Sequence, residues 1–511
     1  MPEIKNISKS NVVKSLTLFG FFAMTASMVM TVYEYPVFAA SGFHLVFYLL
    51  LGGFLWFLPV ALCAAEMATV DGWQEGGIFS WVSNMLGERL GFAAIFFQWF
   101  QITVGFVTMI YFILGALSYV INYPPLNSDP LIKFLGVLVI FWLITLSQFG
   151  GSSFTAKLSK FGFIIGIVLP AATLFVLGIA YLAGGNPIAI DISAKSFIPD
   201  FSKISTLVIF VSFILAYMGV EASASHINEL QNPKRNYPLC MIILVVLAIV
   251  LNTVGGLSVA AVIPLSELNL SGGVVQTFQA LIFHFDNNLG WLVKIIALML
   301  TLGVIAEVSS WVIGPSRGIF AAAQKGLLPK YFTHVNKNNV PTHLVLAQGL
   351  VVTVWAAILT FGGGGSNLSF LIAISLTVVI YLAGYLLMFS AYLKLAKHPE
   401  LNRTYQVPGG VAGKYIFAVS GLIISLFALG ISFFPPSAIS QSKDFVYEII
   451  LSVSFIITLF IPIVIYEVYG KKHSNPNYQH KHLAHWQQNR FTHLWARGEH
   501  SIDRDADKDN K

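Results

Sequence analysis

Ala216-Tyr217-Met218-Gly219-Val220-Glu221-Ala222-Ser223-Ala224-Ser225 lies inside an apolar run that extends from about position 205 to 227. That run is long enough to cross a bilayer as helix, yet its middle holds a glycine, a carboxylate and alternating serine and alanine. A helix interrupted there leaves backbone N–H and C=O groups unpaired at membrane depth, which is tolerated only beside protein or a water-filled cavity. A carboxylate inside a span is by default a functional candidate. The stretch therefore reads as half of a binding site.

The rest of the chain fits that solvent. Hydrophobic residues make up 56% of the 511 and charged residues 10%, which excludes a soluble fold with a polar shell. Twelve apolar runs of spanning length are expected, at about 16–41, 44–68, 92–121, 131–149, 161–183, 203–227, 237–263, 290–317, 342–361, 367–393, 415–434 and 446–469. The first is too long for a cleaved signal peptide and lacks a small-residue cleavage site. Cys63 and Cys240 both fall inside spans, so no disulfide framework is implied. The net charge of +6 does not point to nucleic acid, because of how it is distributed. With twelve spans and a cytoplasmic N-terminus, only Lys133, Lys195, Lys203, Lys294 and Lys443 of the 29 Lys and Arg residues face outward. This is the positive-inside bias, and it places both termini in the cytoplasm.

The first span contains Ala23-Met24-Thr25-Ala26-Ser27-Met28 and then Tyr33-Glu34-Tyr35-Pro36. Two readings stand for it. Ser and Thr bond back to their own helix and small residues permit close packing, or the helix is broken at Thr25–Met28. Spans 1 and 6 open the two halves of a five-plus-five arrangement, and paired interruptions at corresponding positions point to an inverted repeat with a site at the membrane midplane. After span 2 the connector Glu66…Asp71-Gly72-Trp73-Gln74-Glu75-Gly76-Gly77 leads into a short interfacial helix. Asn232-Pro233…Pro238 restarts the chain after span 6.

These connectors, with Thr25–Met30, Ala64–Trp73, Tyr217–Ala224, Ala306-Glu307, Trp311–Arg317, Thr377–Tyr381 and Tyr385, carry a resemblance. From residue 15 to 470 the chain resembles the amino-acid/polyamine/organocation transporters. Within that family it is similar to the antiporters of bacterial acid resistance that exchange glutamate for γ-aminobutyrate. The resemblance implies an all-α integral membrane protein with 12 transmembrane helices, a LeuT-like inverted repeat and interrupted helices 1 and 6. On that plan residues 1–15 are a cytoplasmic N-terminus, and 16–183 hold helices 1–5. Residues 203–393 hold helices 6–10, 415–469 helices 11 and 12, and 470–511 a cytoplasmic regulatory tail. It further implies the bacterial inner membrane and a functional link to glutamate decarboxylase. Many family members have a glycine-rich break in helix 1, where this chain has Thr25-Ala26-Ser27.

Broken helices suit an amino acid, since half-helix N-termini attract a carboxylate and unwound carbonyls receive an ammonium. Glu34, Glu66, Glu221 and Glu307 are carboxylates within spans, whereas no Lys or Arg lies at mid-span. A dianionic substrate calls for a cationic partner, so this cavity suits a side chain that is neutral or positive. The resemblance implies glutamate carried with its side-chain carboxyl protonated. The expected substrate-binding residues are Thr25, Ala26, Ser27, Met28, Tyr33, Gly219, Glu221, Glu307, Trp311, Tyr381 and Tyr385. Glu307 and Trp311 are four apart and share a helix face, as do Tyr381 and Tyr385; each pair either lines a cavity or packs. Glu66, at the cytoplasmic end of span 2, reads as structural.

The tail holds six of the twelve histidines, His473, His480, His482, His485, His493 and His500. Their protonation falls between about pH 5 and 8. Metal binding is an alternative reading of this cluster, but no histidine pair has a firm zinc-ligand pattern and no Cys accompanies them, so neither metal nor cofactor is expected. Trp486, Phe491 and Trp495 suit docking on an apolar surface, and a solvated polar tail is the alternative. The resemblance implies a plug that closes the cytoplasmic path at neutral pH, with His485, His493, Arg497 and His500 as its pH-gating residues. The remaining function classes are a permease or exchanger for another amino acid, such as glutamine or arginine, and a sensor. No catalytic motif supports an enzyme, and the oligomeric state is open.

Overall fold

The computed structural model describes residues 16–30, 32–73, 76–362, 366–436 and 444–475. All regular elements among them are helical, and the two isolated bridges, Leu16 with Leu230 and Val70 with Arg403, are single-residue pairings. Eleven helices are long and apolar enough to cross a membrane. They match expected spans 2 to 12, with the largest shifts in the fifth, which begins at Ser152, the sixth, which begins at Phe210, and the eighth, which ends at Gln324. The first expected span is two shorter pieces: α1 (Leu18–Val29) and α2 (Tyr35–Ala39), with a 3-10 turn at Val32–Glu34 between them. His485, His493, Arg497 and His500 lie outside the described residues.

The helix of the first segment runs through Val29, with Met30 as its C-cap, past the Thr25–Met28 break expected from sequence. Those four residues are helical, and their hydroxyls explain why. Thr25 Oγ1 donates to the Phe21 carbonyl at 2.9 Å and Ser27 Oγ to that of Ala23 at 2.7 Å. Both are i−4 back-bonds within the helix, tolerated by α geometry. Pro36, in the first turn of α2, lacks the N–H that a helix start leaves unpaired and so marks the restart.

The continuous spans follow as α3 (His44–Ala68), the short α4 (Ile78–Leu86), α5 (Glu88–Val120), α6 (Pro130–Gly150) and α7 (Ser152–Ala183). In α3 and α7 a π-turn, Gly53–Phe57 and Phe163–Val168, comes just before Pro59 and Pro170 in the next helical stretch. Extra backbone of this kind accommodates a proline that cannot donate. The sixth segment begins with α8 (Phe210–Leu215), turns at Ala216–Gly219 and continues as a 3-10 helix at Val220–Glu229. Beyond it run α9 (Pro233–Val262), α10 (Gly273–Phe285), α11 (Gly290–Gln324), α12 (Thr342–Gly362), α13 (Ser366–Leu395), α14 (Gly410–Ser432) and α15 (Asp444–Ile465). The sequence did not announce α10, which is too short to span.

Burial sorts these helices into a centre and a rim. The most apolar windows of α5, the sixth segment and α13 are each 89% buried, whereas that of α15 is 17% buried. The site is thus built where α5, α13 and the broken segments meet. Helix α7 is seated against α11 by small residues. A Cβ on Gly166 would lie 2.2 Å from the Gly303 nitrogen, and one on Gly162 would lie 2.3 Å from Ala306 Cβ. Such close approach is how membrane helices gain van der Waals contact without a hydrophobic drive, and here it fixes the stretch of α11 that ends in Glu307.

The two broken segments are joined at one end. Leu16 N–H donates to the Glu229 carbonyl and Gln231 N–H to the Leu16 carbonyl, both at 3.0 Å. Nearby, Arg317 of α11 pairs with Glu229, whose other oxygen accepts from Ser152 Oγ at 2.7 Å. Glu66 is fully occupied by the scaffold. Its carboxylate accepts from Lys414 Nζ (2.7 Å), Tyr392 hydroxyl (2.7 Å) and Val407 N–H (2.8 Å), and Arg403 Nε lies 3.1 Å away. A buried charge with this many partners ties α3, α13 and α14 together.

Candidate functional site

The break at Ala216–Gly219 depends on one backbone conformation. Gly219 has φ +107°, a region L side chains rarely adopt. That turn sends Glu221 back toward α13, where the Tyr381 and Tyr385 hydroxyls donate to its two oxygens, Tyr385 at 2.6 Å. Gln98 Nε2 on α5 adds a third donor at 3.0 Å. The Tyr385 oxygen also accepts the Gly219 N–H at 3.0 Å. One tyrosine therefore satisfies a backbone donor freed by the break while holding the carboxylate that follows it.

The partner break is closed by Trp311. Its indole N–H donates to the Met28 carbonyl at 3.1 Å, at the open end of α1. The same ring lies against Gly219, where a Cβ would come 2.4 Å from Trp311 Cζ2. It also meets Tyr381 edge-on, with ring centroids 6.2 Å apart. Trp311 thus touches both broken segments and α13 at once. Gly219 is required twice over, for its backbone angle and for the indole beside it.

Between these elements is a small cavity, lined by Met28, Tyr33, Glu307, Trp311 and Tyr381 from the expected set. Its remaining wall comes from α5 (Gln101, Ile102, Gly105, Thr108, Met109), the end of the α8 segment (Leu215, Met218) and Thr377. No lysine or arginine is among the lining residues. One Glu307 oxygen has no hydrogen-bond partner among the described residues, and Glu34, in the turn between α1 and α2, is near enough to act on that carboxylate electrostatically.

The other expected site residues stand behind this wall. Glu221, Tyr385 and Gly219 form the hydrogen-bonded layer described above and are absent from the lining. Glu221 is surrounded by three donors, Gln98, Tyr381 and Tyr385. Thr25, Ala26 and Ser27 are buried inside α1; Ser27 is turned toward α7, where Ser159 bonds Ser310 of α11 at 2.7 Å. The contribution of α5 escaped the sequence reading. Its signal was present: Gln98 and Gln101 are amides within a long apolar run, and polar groups at that depth face protein or water. Among the described residues no group of three or more His, Cys, Asp or Glu could hold a metal.

Comparison with known proteins agrees with this architecture. The family model for amino acid permease matches residues 16–471. The glutamate/gamma-aminobutyrate antiporter of Lactococcus lactis subsp. lactis (strain IL1403) is 64% identical over 490 residues, covering 96% of this chain and 97% of the relative. The protein of the same name from L. lactis subsp. cremoris (strain MG1363) is 65% identical with the same coverage. An uncharacterized transporter of Legionella pneumophila is 32% identical over 90% of the chain. A broken-helix cavity in an all-helical chain with spans of membrane length thus coincides with a match over nearly the whole sequence, and the chain belongs to the amino acid permease family of multi-pass membrane transporters.

Proposed function

We propose that the protein is an antiporter that exchanges external glutamate, its side-chain carboxyl protonated, for internal γ-aminobutyrate. The observation that carries this reading is the cavity wall, where Glu307 faces inward and no cationic side chain does. A glutamate carrying two carboxylates would enter without a partner for the second, at a desolvation cost of several kcal/mol, about that of an unpaired buried ion. Protonated glutamate and γ-aminobutyrate each carry a single carboxylate at most, and each has an ammonium for Glu307. The two Lactococcus relatives bear the matching name over almost their full length. Coupled to decarboxylation by glutamate decarboxylase, the proton that enters on the glutamate side chain balances the one that decarboxylation takes up, so the exchange removes a cytoplasmic proton per cycle, and supports acid resistance, when γ-aminobutyrate leaves as the cation with its carboxyl protonated.

The same reading takes the two broken segments as corresponding members of an inverted repeat, 16–183 and 203–393, in a twelve-span protein of the bacterial inner membrane with both termini cytoplasmic. It also takes residues 470–511 as a plug over the cytoplasmic path. The root of that tail supports this. Asn475 N–H donates to the Lys325 carbonyl at 2.8 Å, and Ser474 Oγ shares a Glu88 oxygen with Lys325 Nζ, each at 2.8 Å. The tail thus departs from the end of α11, which carries Glu307 and Trp311, and from the start of α5.

Counterflow in proteoliposomes tests the proposal. Labelled glutamate is expected to accumulate when γ-aminobutyrate or glutamate is loaded inside, and not with empty vesicles. Accumulation driven only by another amino acid would make the protein a different exchanger, and binding without accumulation would make it a sensor.

A further inference from the structure

Most polar groups around the cavity already have partners. The Trp311 indole N–H is bonded to Met28 O, Gln101 Nε2 donates to the Gln98 carbonyl at 3.2 Å, and Thr108 Oγ1 donates to the Gly105 carbonyl at 2.7 Å. Two buried side-chain atoms of the lining have none among the described residues: Glu307 Oε1 and Thr377 Oγ1. Both residues are nearly inaccessible, at 1% and 2% exposure. Both atoms belong to the wall of one cavity, where a ligand can supply the hydrogen-bond partner that buried polar groups ordinarily have.

Thr377 is open for a definite reason. It lies opposite Gly105 of α5, where a Cβ would come 3.6 Å from Thr377 Cγ2 and 3.7 Å from Oγ1. Any side chain at 105 would cover the hydroxyl; glycine leaves it bare. The pair of open atoms is chemically asymmetric. Glu307 as a carboxylate only accepts hydrogen bonds, whereas a threonine hydroxyl can donate one. An ammonium matches the first and a carboxyl group matches the second.

Glutamate and γ-aminobutyrate share one such frame. In each, three carbons separate the ammonium nitrogen from a carboxyl carbon: the side-chain carboxyl in glutamate, the only carboxyl in γ-aminobutyrate. The α-carboxylate of glutamate is the one group without a counterpart. Resting on the exchange proposed above, we infer that Glu307 receives the ammonium and Thr377 the distal carboxyl. Thr377 and Gly105 are then specificity-determining positions that read the three-carbon spacing common to both substrates. A site built on the shared frame accepts either molecule in one pose, as an exchanger requires.

The test uses the full-length protein in proteoliposomes, with half-saturating concentrations measured for glutamate and γ-aminobutyrate. Thr377→Val keeps the side-chain shape and removes the hydroxyl. It is expected to raise both constants together by about tenfold, equivalent to ~1.4 kcal/mol, while Thr377→Ser keeps both near wild type. Gly105→Ala is expected to act in the same direction without lowering the melting temperature, since alanine favours helix and the nearest contact, Ile102 Cδ1 at 3.2 Å, is the end of a flexible side chain. In the wild type, β-alanine and 5-aminovalerate, with two and four intervening carbons, should compete less well than γ-aminobutyrate. The inference is overturned if Thr377→Val leaves both constants unchanged or shifts only that for glutamate. Failure of the wild type to exchange the two substrates would instead reject the proposed function, and this inference with it.

Discussion

Replacing Gly219 by alanine probes the contact on which both breaks depend. The new Cβ would lie 2.4 Å from Trp311 Cζ2 and 2.6 Å from Cη2, far inside van der Waals contact. Forcing a methyl into a packed site costs about 1–3 kcal/mol, and holding a non-glycine residue at φ +107° adds about 1–3 kcal/mol. The indole has little room to retreat. Moving it would part its N–H from the Met28 carbonyl, now at 3.1 Å, and leave a buried acceptor unmade at about 1–3 kcal/mol. The smallest plausible total, about 2 kcal/mol, corresponds to roughly a 30-fold shift in population away from the described arrangement. Gly219→Ala should therefore reduce counterflow by more than tenfold and lower the melting temperature in detergent. The paired variant Gly219→Ala with Trp311→Leu separates the two causes, because neighbouring side chains couple in a double-mutant cycle. Relief of the clash should make the pair more stable than the sum of the single changes, with the backbone part of the loss remaining. A Gly219→Ala protein with wild-type counterflow and melting temperature would refute the reasoning.

Three further outcomes are expected. Glu221→Gln replaces an acceptor of three bonds with a group that donates on one side; charge-assisted bonds of this kind contribute about 1.5–3 kcal/mol each, so uptake should fall at least tenfold while expression, measured by immunoblot of membranes, stays intact. Lys414→Ala removes one cation from buried Glu66, for which breaking a buried pair costs about 3–5 kcal/mol; thermal unfolding should shift down by several degrees, with the preference between glutamate and γ-aminobutyrate unaltered. Truncation after Asn475 tests the plug. If neutral histidines favour docking and protonated ones oppose it, docking is lost as pH falls through the ordinary histidine value of about 6.5, so truncation should raise uptake near pH 7.5 and change little near pH 5. Equal uptake at pH 7.5 with and without the tail would exclude gating by residues 476–511.

How much of this was legible in the chain depended on whether a residue's role was local. Gly219 and Glu221 interrupt an apolar run, and each is unusual on its own terms, so the second break could be placed to the residue. The first break could not, because Thr25 and Ser27 looked like interruptions but bond back to Phe21 and Ala23; the hydroxyls that suggested a break are held by an intact helix. Glu221 was legible as functional, yet its position behind the cavity wall is set by Gln98, Tyr381 and Tyr385, which are more than a hundred residues away from it in sequence. Glu66 shows the same limit, since Arg403 and Lys414 reach it from a loop and a helix start where cations look unremarkable. The absence of fixed cations from mid-span, by contrast, was a property of composition by position and needed no partner to be read. It survives as the absence of Lys and Arg from the cavity lining. On the inference above, selection of the substrate falls to Thr377, which lines the same cavity as Glu307, and a threonine followed by apolar β-branched residues gives no sequence signal for that. Only the glycine across from it, on another helix, exposes Thr377 to the cavity.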